Sequence, residues 1–419
     1  MMSPWIFLLV AGAAKLLSAE FLLPSDCSQA KKLCLKDSVC NASHHEFMHC
    51  THGIATEPVN KTRCQQAELA LKNHGLMDCK CRRRMNKEEH CLNVYWNLHP
   101  LNVQGYHIFE SSPYEDDDHD IVKTDEYSRV VGMASDTEIP VNSNACFKQA
   151  IICSLTEKCS WDRNAYADNC SKKHENGQCD RQRCHQSLRR FFKKVPQEFS
   201  KRLLFCPCQE SYCAERRRKT IVPECSFEEE SKPNCLHLYH SCMNDNLCKS
   251  RFADFQKHCY SFNKRTKYCP KEQYDLCIQT YMRMIGTIMT PNFISNNSIS
   301  VSLWCTCEGS GNRQDDCSTI LGMFMGNTCL ENAIKSELGE PIETDSVQTV
   351  PMDMQKEDTN LSVIPGTNLE TDNLPVKSAK QNKIAKVHNP ASRVSSPSMA
   401  LTLLSPALLL WLLKSVRFA

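Results

Sequence analysis

Apolar side chains recur at helical spacing along this chain, and cysteines stand at both ends of the stripes. Cys159, Tyr166 and Cys170 fall at i, i+7 and i+11. Cys248, Phe252, Phe255 and Cys259 fall at i, i+4, i+7 and i+11, and Phe47 stands seven residues after Cys40. Such periods predict short amphipathic helices whose ends are tied to their neighbours. The rhythm is written three times. Cys27, Cys34, Cys40 and Cys50 are separated by six, five and nine residues, and Cys146, Cys153, Cys159 and Cys170 by six, five and ten. Cys235, Cys242, Cys248 and Cys259 repeat six, five and ten. Six intervening residues place two cysteines two turns apart on one helix face. Beyond them, Cys64, Cys184 and Cys277 each precede a small residue at i+3 and an apolar stretch, the mark of a further helix.

Each block continues to a Cys-x-Cys pair, Cys79/Cys81, Cys206/Cys208 or Cys305/Cys307, and ends at Cys91, Cys225 or Cys329. Cys179 and Cys213 complete the second block, and Cys269 and Cys317 the third. The blocks hold eight, ten and ten cysteines, which accounts for all 28. The expected fold is all-α, with three small disulfide-rich helical bundles in tandem at 27–91, 146–225 and 235–329. Units of this size bury too little apolar surface to be stable without staples. The pairing itself stays open, since eight cysteines alone allow 105 connectivities.

Between the blocks the composition changes. Residues 97–145 contain no cysteine and carry ten acidic against two basic side chains, which predicts a solvated, flexible acidic connector. Its densest stretch, Glu115 to Asp120, lacks the glycine and spaced oxygens of a calcium loop. Only nine residues, Ser226 to Asn234, join the second and third units. Those two are expected to pack closely, while the first can sit apart and its placement stays open. From 339 to 398 the chain is polar without hydrophobic period and reads as a disordered stalk.

The ends place the chain in a cell. Trp5 to Ala14 is an apolar run followed by small residues near Ser18 and Ala19, as in a signal peptide spanning 1–19. An oxidising compartment then explains the cysteines, and it excludes nucleic acid as a partner. Zinc is disfavoured because cysteine pairs spaced by two to four residues do not recur. Met399 to Leu413 is shorter than the roughly 20 apolar residues a spanning helix needs. A short apolar tail after a polar spacer is the pattern of a GPI-attachment signal, here 399–419, with the lipid on Ala391, Ser392, Ser395 or Ser396. Sequons at Asn41, Asn60, Asn169, Asn296 and Asn360 add expected glycosylation. Neither a nucleophile-elbow serine motif nor a phosphate loop is present, so no enzyme and no cofactor are expected.

Charge is concentrated in the second block, where 146–225 holds seventeen basic and nine acidic residues, a balance of +8. One basic group runs from Arg181 to Arg202, the other is Arg216-Arg-Arg-Lys219, and Phe191, Phe199, Leu203, Leu204 and Phe205 are interleaved with them. Arginine beside aromatics is a plausible protein-binding surface. Leu188 and Phe192, four residues apart, read instead as core. Arg82, Arg83 and Arg84 of the first block, with Arg189, Arg190, Lys193 and Lys194 of the second, would suit heparan sulfate.

At this point the motifs are specific. The cysteine rhythm, Cys91-Leu-Asn-Val-Tyr-Trp96, Ser112-Pro-Tyr-Glu115, Phe205-Cys-Pro-Cys208, Glu215-Arg-Arg-Arg-Lys-Thr-Ile221 and Met289-Thr-Pro-Asn-Phe293 resemble the GDNF family receptor alpha proteins over about residues 27–337. Arg82-Arg-Arg-Met85, Asp116 and Phe293 look closest to the alpha-3, artemin-binding type. A Gln-Ala-Phe-Gly-Asn-Gly end carried by other members is missing. The resemblance implies a GPI-anchored co-receptor on the extracellular face of the cell membrane. It would bind a dimeric, artemin-like GDNF-family growth factor and present it to the receptor tyrosine kinase RET. It also implies that Phe205, Arg216, Arg217 and Ile221 contact that ligand. The competing reading is a soluble decoy receptor or a heparan-sulfate-binding matrix protein.

Overall fold

The computed structural model describes residues 25–52, 60–101, 109, 111–116, 125–135, 144–171, 179–222, 225, 232–260 and 269–342. The expected signal peptide, the stalk after residue 342, the C-terminal signal and Asn360 lie outside these residues. The described chain is mostly helical. Block one forms α1 (Cys27–Cys34), α2 (Ser38–His52), α3 (Lys61–Asn73) and α4 (Glu88–Leu98). A further helix, α5 (Asp125–Ser135), precedes block two, which forms α6 (Ala145–Ser154), α7 (Glu157–Ser171), α8 (Arg181–Lys194), α9 (Gln197–Leu204) and α10 (Ser211–Lys219). Block three forms α11 (Cys235–Asn244), α12 (Asn246–Cys259), α13 (Tyr274–Met284), the strands β1 (Pro291–Phe293) and β2 (Val301–Leu303), then α14 (Gln314–Gly322) and α15 (Thr328–Leu338). The two strands pair antiparallel, Pro291 opposite Leu303 and Phe293 opposite Val301, a small departure from the all-α expectation.

Helix starts follow from short polar side chains that accept the first free backbone N–H groups. Asp26 accepts from Gln29 N at 3.0 Å, Asn144 from Phe147 N at 2.8 Å, Asp180 from Arg183 N at 2.9 Å and Asp245 from Cys248 N at 2.7 Å. The expected stripes are interior: Cys159, Tyr166 and Cys170 on α7, Cys248, Phe252, Phe255 and Cys259 on α12, and Phe47 on α2 are all buried.

One disulfide map is used three times. The first cysteine reaches the first of the Cys-x-Cys pair: Cys27–Cys79, Cys146–Cys206 and Cys235–Cys305. The second and third close the turn between two helices: Cys34–Cys40, Cys153–Cys159 and Cys242–Cys248. The fourth joins the next helix: Cys50–Cys64, Cys170–Cys184 and Cys259–Cys277. The second cysteine of each pair bonds just downstream: Cys81–Cys91, Cys208–Cys213 and Cys307–Cys317. Blocks two and three add Cys179–Cys225 and Cys269–Cys329. All 28 cysteines are paired within their own block, and none is free. Three sulfur clusters, such as Cys27, Cys81 and Cys91, are pairs of neighbouring disulfides, so their sulfurs are not thiolate ligands.

The placement of the first domain, left open by the sequence, is against the third. Helix α4 packs along α12 of the third domain. At the centre of that contact Arg83 donates to both oxygens of Asp254, Nη2 to Oδ1 at 2.7 Å and Nε to Oδ2 at 2.9 Å, with both side chains almost wholly buried. Ser112 Oγ donates to Asp254 Oδ1 at 2.8 Å, and Arg83 Nη1 donates to Glu115 O at 2.7 Å. Apolar packing surrounds the pair: the rings of Trp96, Phe109 and Phe252 form an edge-to-face series, and Trp96 Nε1 donates to Ser250 Oγ at 2.7 Å.

The supposed connector is likewise partly structure. Leu98 is buried at the end of α4. Ser112-Pro-Tyr-Glu115 lies back on the first domain, with Cys81 N donating to Pro113 O at 2.9 Å and Glu115 N to Cys81 O at 3.1 Å. Helix α5 packs on α6 through buried Val130 and Ala134. Averaging charge over 97–145 hid the apolar Phe109, Tyr114, Tyr127 and Val130, which decide where the segment goes. Residues 117–120 of the acidic run lie outside the described residues.

Arg83→Met would leave the buried Asp254 carboxylate with Ser112 and only the longer contacts of Arg283 and His258, each at 3.6 Å, and breaking such a pair costs about 3–5 kcal/mol. Hydrogen exchange in α4 and α12 should rise while all disulfides remain intact. Burial alone would raise the Asp254 pKa, but the Arg83 hydrogen bonds and charge outweigh it and hold it below the ordinary value. The docking energy from this group is therefore fully present above the unfolded carboxylate value of about 3.9 and is lost as pH falls from there through the lower folded value. Exchange measured against pH should show α4 loosening only in that acidic window.

Candidate binding face of the second domain

Helix α10 carries the arginine run, and its orientation is set covalently. Cys208–Cys213 ties its first turn to the Cys206-Pro-Cys208 loop, which Cys146–Cys206 ties to α6. Cys213 and Ala214 point inward, so Arg217, four residues after Cys213, does too. Arg217 is buried, donates from Nη1 to Cys206 O at 3.2 Å and lies 4.5 Å from the Phe293 ring centroid. Phe205 and Ile221 are buried as well, Phe205 against Tyr281 and Phe293. The expectation that Phe205, Arg217 and Ile221 touch a ligand directly is thus corrected, because they are the interior on which α10 rests. The helical period from Cys213 contains that signal.

Arg216 differs from them. It is half-buried, stacks 4.9 Å from the Phe147 ring centroid, and has no hydrogen-bond partner for Nε and Nη1. Tyr212, one turn earlier, is 61% exposed. Lys219 and Glu215 pair at 2.7 Å beside them. Tyr212 and Arg216 therefore form the outward face, and the apolar side chains interleaved in the basic region do not: Phe191, Phe192, Phe199, Leu203 and Leu204, with Leu188, are all core.

Behind α10 the second and third domains interlock through the same motifs. Arg218 Nε donates to Phe293 O at 3.1 Å, and Asn292 Nδ2 donates to Arg218 O at 3.1 Å. Lys201 bridges Asp275 at 2.7 Å and Glu337 at 2.6 Å. Arg189 Nη1 donates to Gly286 O at 2.5 Å. Next to it His185 is held neutral, its pKa pushed down to about 4 by burial and then by Arg189 and Arg181.

The heparan-sulfate candidates from two distant segments are brought together. Arg84, in a left-handed turn at φ 60°, donates to Phe192 O at 3.3 Å, and Lys193 donates to Met85 O at 3.0 Å. Arg82, Arg84, Arg190, Lys193 and Lys194 keep surface access. Arg83 and Arg189 are removed from that set, the first by Asp254 and the second by Gly286. A cavity of about 1160 Å³ opens beside the belt, lined by Arg129, Met133, Leu155, Trp161, Arg190 and Lys194, with Trp161 68% exposed.

Among the sequons, Asn60 is exposed and caps α3 through its oxygen, which accepts from Thr62 and Arg63 N–H. Asn41 and Asn296 are partly exposed. Asn169 Nδ2, the atom a glycan would take, donates to Ser187 Oγ at 2.6 Å beside the Cys170–Cys184 bond. The expectation of a chain without any catalytic motif is corrected at one point, since His45-Glu-Phe-Met-His49 on α2 reads His-Glu-x-x-His.

A family model described as GDNF/GAS1 domain matches residues 27–102, 146–225 and 235–329. The chain is 39% identical over 342 residues to GDNF family receptor alpha-1 of Gallus gallus, covering 79% of this chain and 72% of that protein. It is 40% identical over 324 residues to alpha-2 of Gallus gallus, covering 75% and 68%, and 38% identical over 329 residues to alpha-3 of Homo sapiens, covering 77% and 79%. These identities do not separate the subtypes. A solved chain titled "Growth factor/receptor complex" is 42% identical and covers 47% of this chain and 96% of that one, with a TM-score of 0.44.

Gly286 adopts φ 80°, and a Cβ there would lie 2.7 Å from His185 O. Gly286→Ala meets backbone, which cannot swing aside, and left-handed strain adds about 1–3 kcal/mol. The variant should lower the thermal midpoint and raise exchange in α8 and α13 together.

Proposed function

This chain belongs to the GDNF family receptor alpha proteins, and we propose that the outward face of α10 binds a dimeric, artemin-like GDNF-family growth factor and presents it to the receptor tyrosine kinase RET. As a member of that family it is a non-enzymatic, ligand-binding receptor at the cell surface. The observation that carries the proposal is Arg216. Its Nε and Nη1 are buried without a partner beside Phe147, so the guanidinium still has unsatisfied donors at the edge of the face, an exposed tyrosine stands one turn away, and the helix beneath is pinned by disulfides. An arginine so placed suits a carboxylate on the ligand, and a helix already rigid loses little freedom on binding. Phe205, Arg217 and Ile221 support that face from inside. The basic belt of Arg82, Arg84, Arg190, Lys193 and Lys194 suits heparan sulfate, which favours the matrix-binding reading as a second activity of the same ectodomain. Anchoring is through GPI, with glycans on the sequons.

Arg216→Glu should weaken growth-factor binding at least tenfold, about 1.4 kcal/mol, in surface plasmon resonance with the purified ectodomain, while its melting temperature stays at the wild-type value. Phe205→Ala and Ile221→Ala should act the other way round, lowering stability first, since removing large buried side chains costs about 2–5 kcal/mol. Unchanged affinity in a well-folded Arg216→Glu protein would move the ligand site off α10.

Lipid anchoring has its own readout. Phosphatidylinositol-specific phospholipase C should release the protein from intact cells. Retention after treatment would leave the soluble or otherwise anchored form.

A further inference from the structure

We propose that His45 and His49 form a surface site for a divalent transition-metal ion of the imidazole-preferring class, Zn²⁺ or Cu²⁺, on the first domain. Helix α2 turns Cys40, His44 and Phe47 into the core. His45 and His49 are consequently exposed, and they stand four residues apart, one turn above the other. Side chains so spaced have Cβ atoms about 5–6 Å apart, which lets two imidazole nitrogens reach one ion. Neutral imidazole suits zinc and copper, and copper binds N-donor sites more tightly in general. Every cysteine of the chain is in a disulfide, so thiolates do not compete for the ion.

The motif is that of a helical zinc-hydrolase site, but its third member is placed otherwise. Glu46 pairs with Arg63 of α3 at 3.0 Å, which holds the carboxylate as an ion-pair partner and not as a base for metal-bound water. The remaining coordination positions fall to water. The site is therefore a binding site with two protein ligands, not a catalytic centre. Asn41 lies one turn before His45 on the same helix, so a glycan there would stand beside the metal and limit what else can approach it.

The test is isothermal titration of the metal-free, full ectodomain with Zn²⁺, and separately with Cu²⁺, in wild type, His45→Gln, His49→Gln and the double variant. Each protein is also prepared with Asn41→Gln to remove any glycan. One site per chain is expected in wild type. Each single variant should weaken it at least about tenfold, since losing even a supporting contact costs that much in metal sites, and the double variant should abolish it. Circular dichroism and the absence of titratable thiols keep misfolding separate from ligand loss. Equal binding by wild type and the double variant would place the metal on other histidines and overturn the proposal, as would no binding by wild type in either glycan state. Binding that persists in one single variant but not the other would also overturn it, by reducing the pair to a lone ligand.

Discussion

The bond between the first cysteine of each block and the first member of its Cys-x-Cys pair is the constraint on which the rest depends. It brings the start of the first helix back to a segment 52, 60 or 70 residues later and so closes each domain on itself. A native disulfide in a small secreted domain is typically worth about 2–5 kcal/mol. That is enough to let bundles with small cores hold a defined shape. In domains one and three the same closure carries a backbone pairing, Cys27 N to Lys80 O and Cys235 N to Thr306 O, so covalent and hydrogen-bonded contacts agree.

Rigid domains leave the joints to be decided by side chains, and the two joints use different physics. The first domain meets the third through a desolvated ion pair ringed by aromatics. An ion pair taken out of water gains little net energy but is costly to break from one side, so it favours a single orientation. The second domain meets the third through many smaller contacts: Asn292 on the backbone of α10, Phe293 beneath Arg217, Gly286 against α8, and Lys201 between two carboxylates. Ser112-Pro-Tyr-Glu115 and Met289-Thr-Pro-Asn-Phe293, which carry the family resemblance, both lie in these joints.

This division also sorts the arginines. Arg83 and Arg217 are interior, Arg189 and Arg218 are spent on carbonyls of the neighbouring domain, and half-buried Arg216 is left with two unsatisfied donors. In one run of three, adjacent residues serve as strut, surface and clasp because a helix turns each by about 100°. Substitutions in such a run report on folding or on binding according to position, and stability must be measured beside affinity before either is inferred.

Periodicity and cysteine spacing by themselves determined the three helical units, their buried stripes on α7 and α12, and the enrichment of positive charge in the second. These are local properties: a helix shows its inner face in four residues, and a small secreted unit declares its staples. Only the tertiary structure decided which cysteines pair, since spacing limits partners without choosing among them. It alone turned the first domain onto the third, because Arg83 and Asp254 are 171 residues apart and neither is unusual in its own segment. It also joined Arg84 to α8 and withdrew Phe205 and Ile221 from the surface. Such residues look like ligand contacts in sequence because binding faces and domain joints draw on the same arginine and aromatic chemistry, and only burial tells them apart.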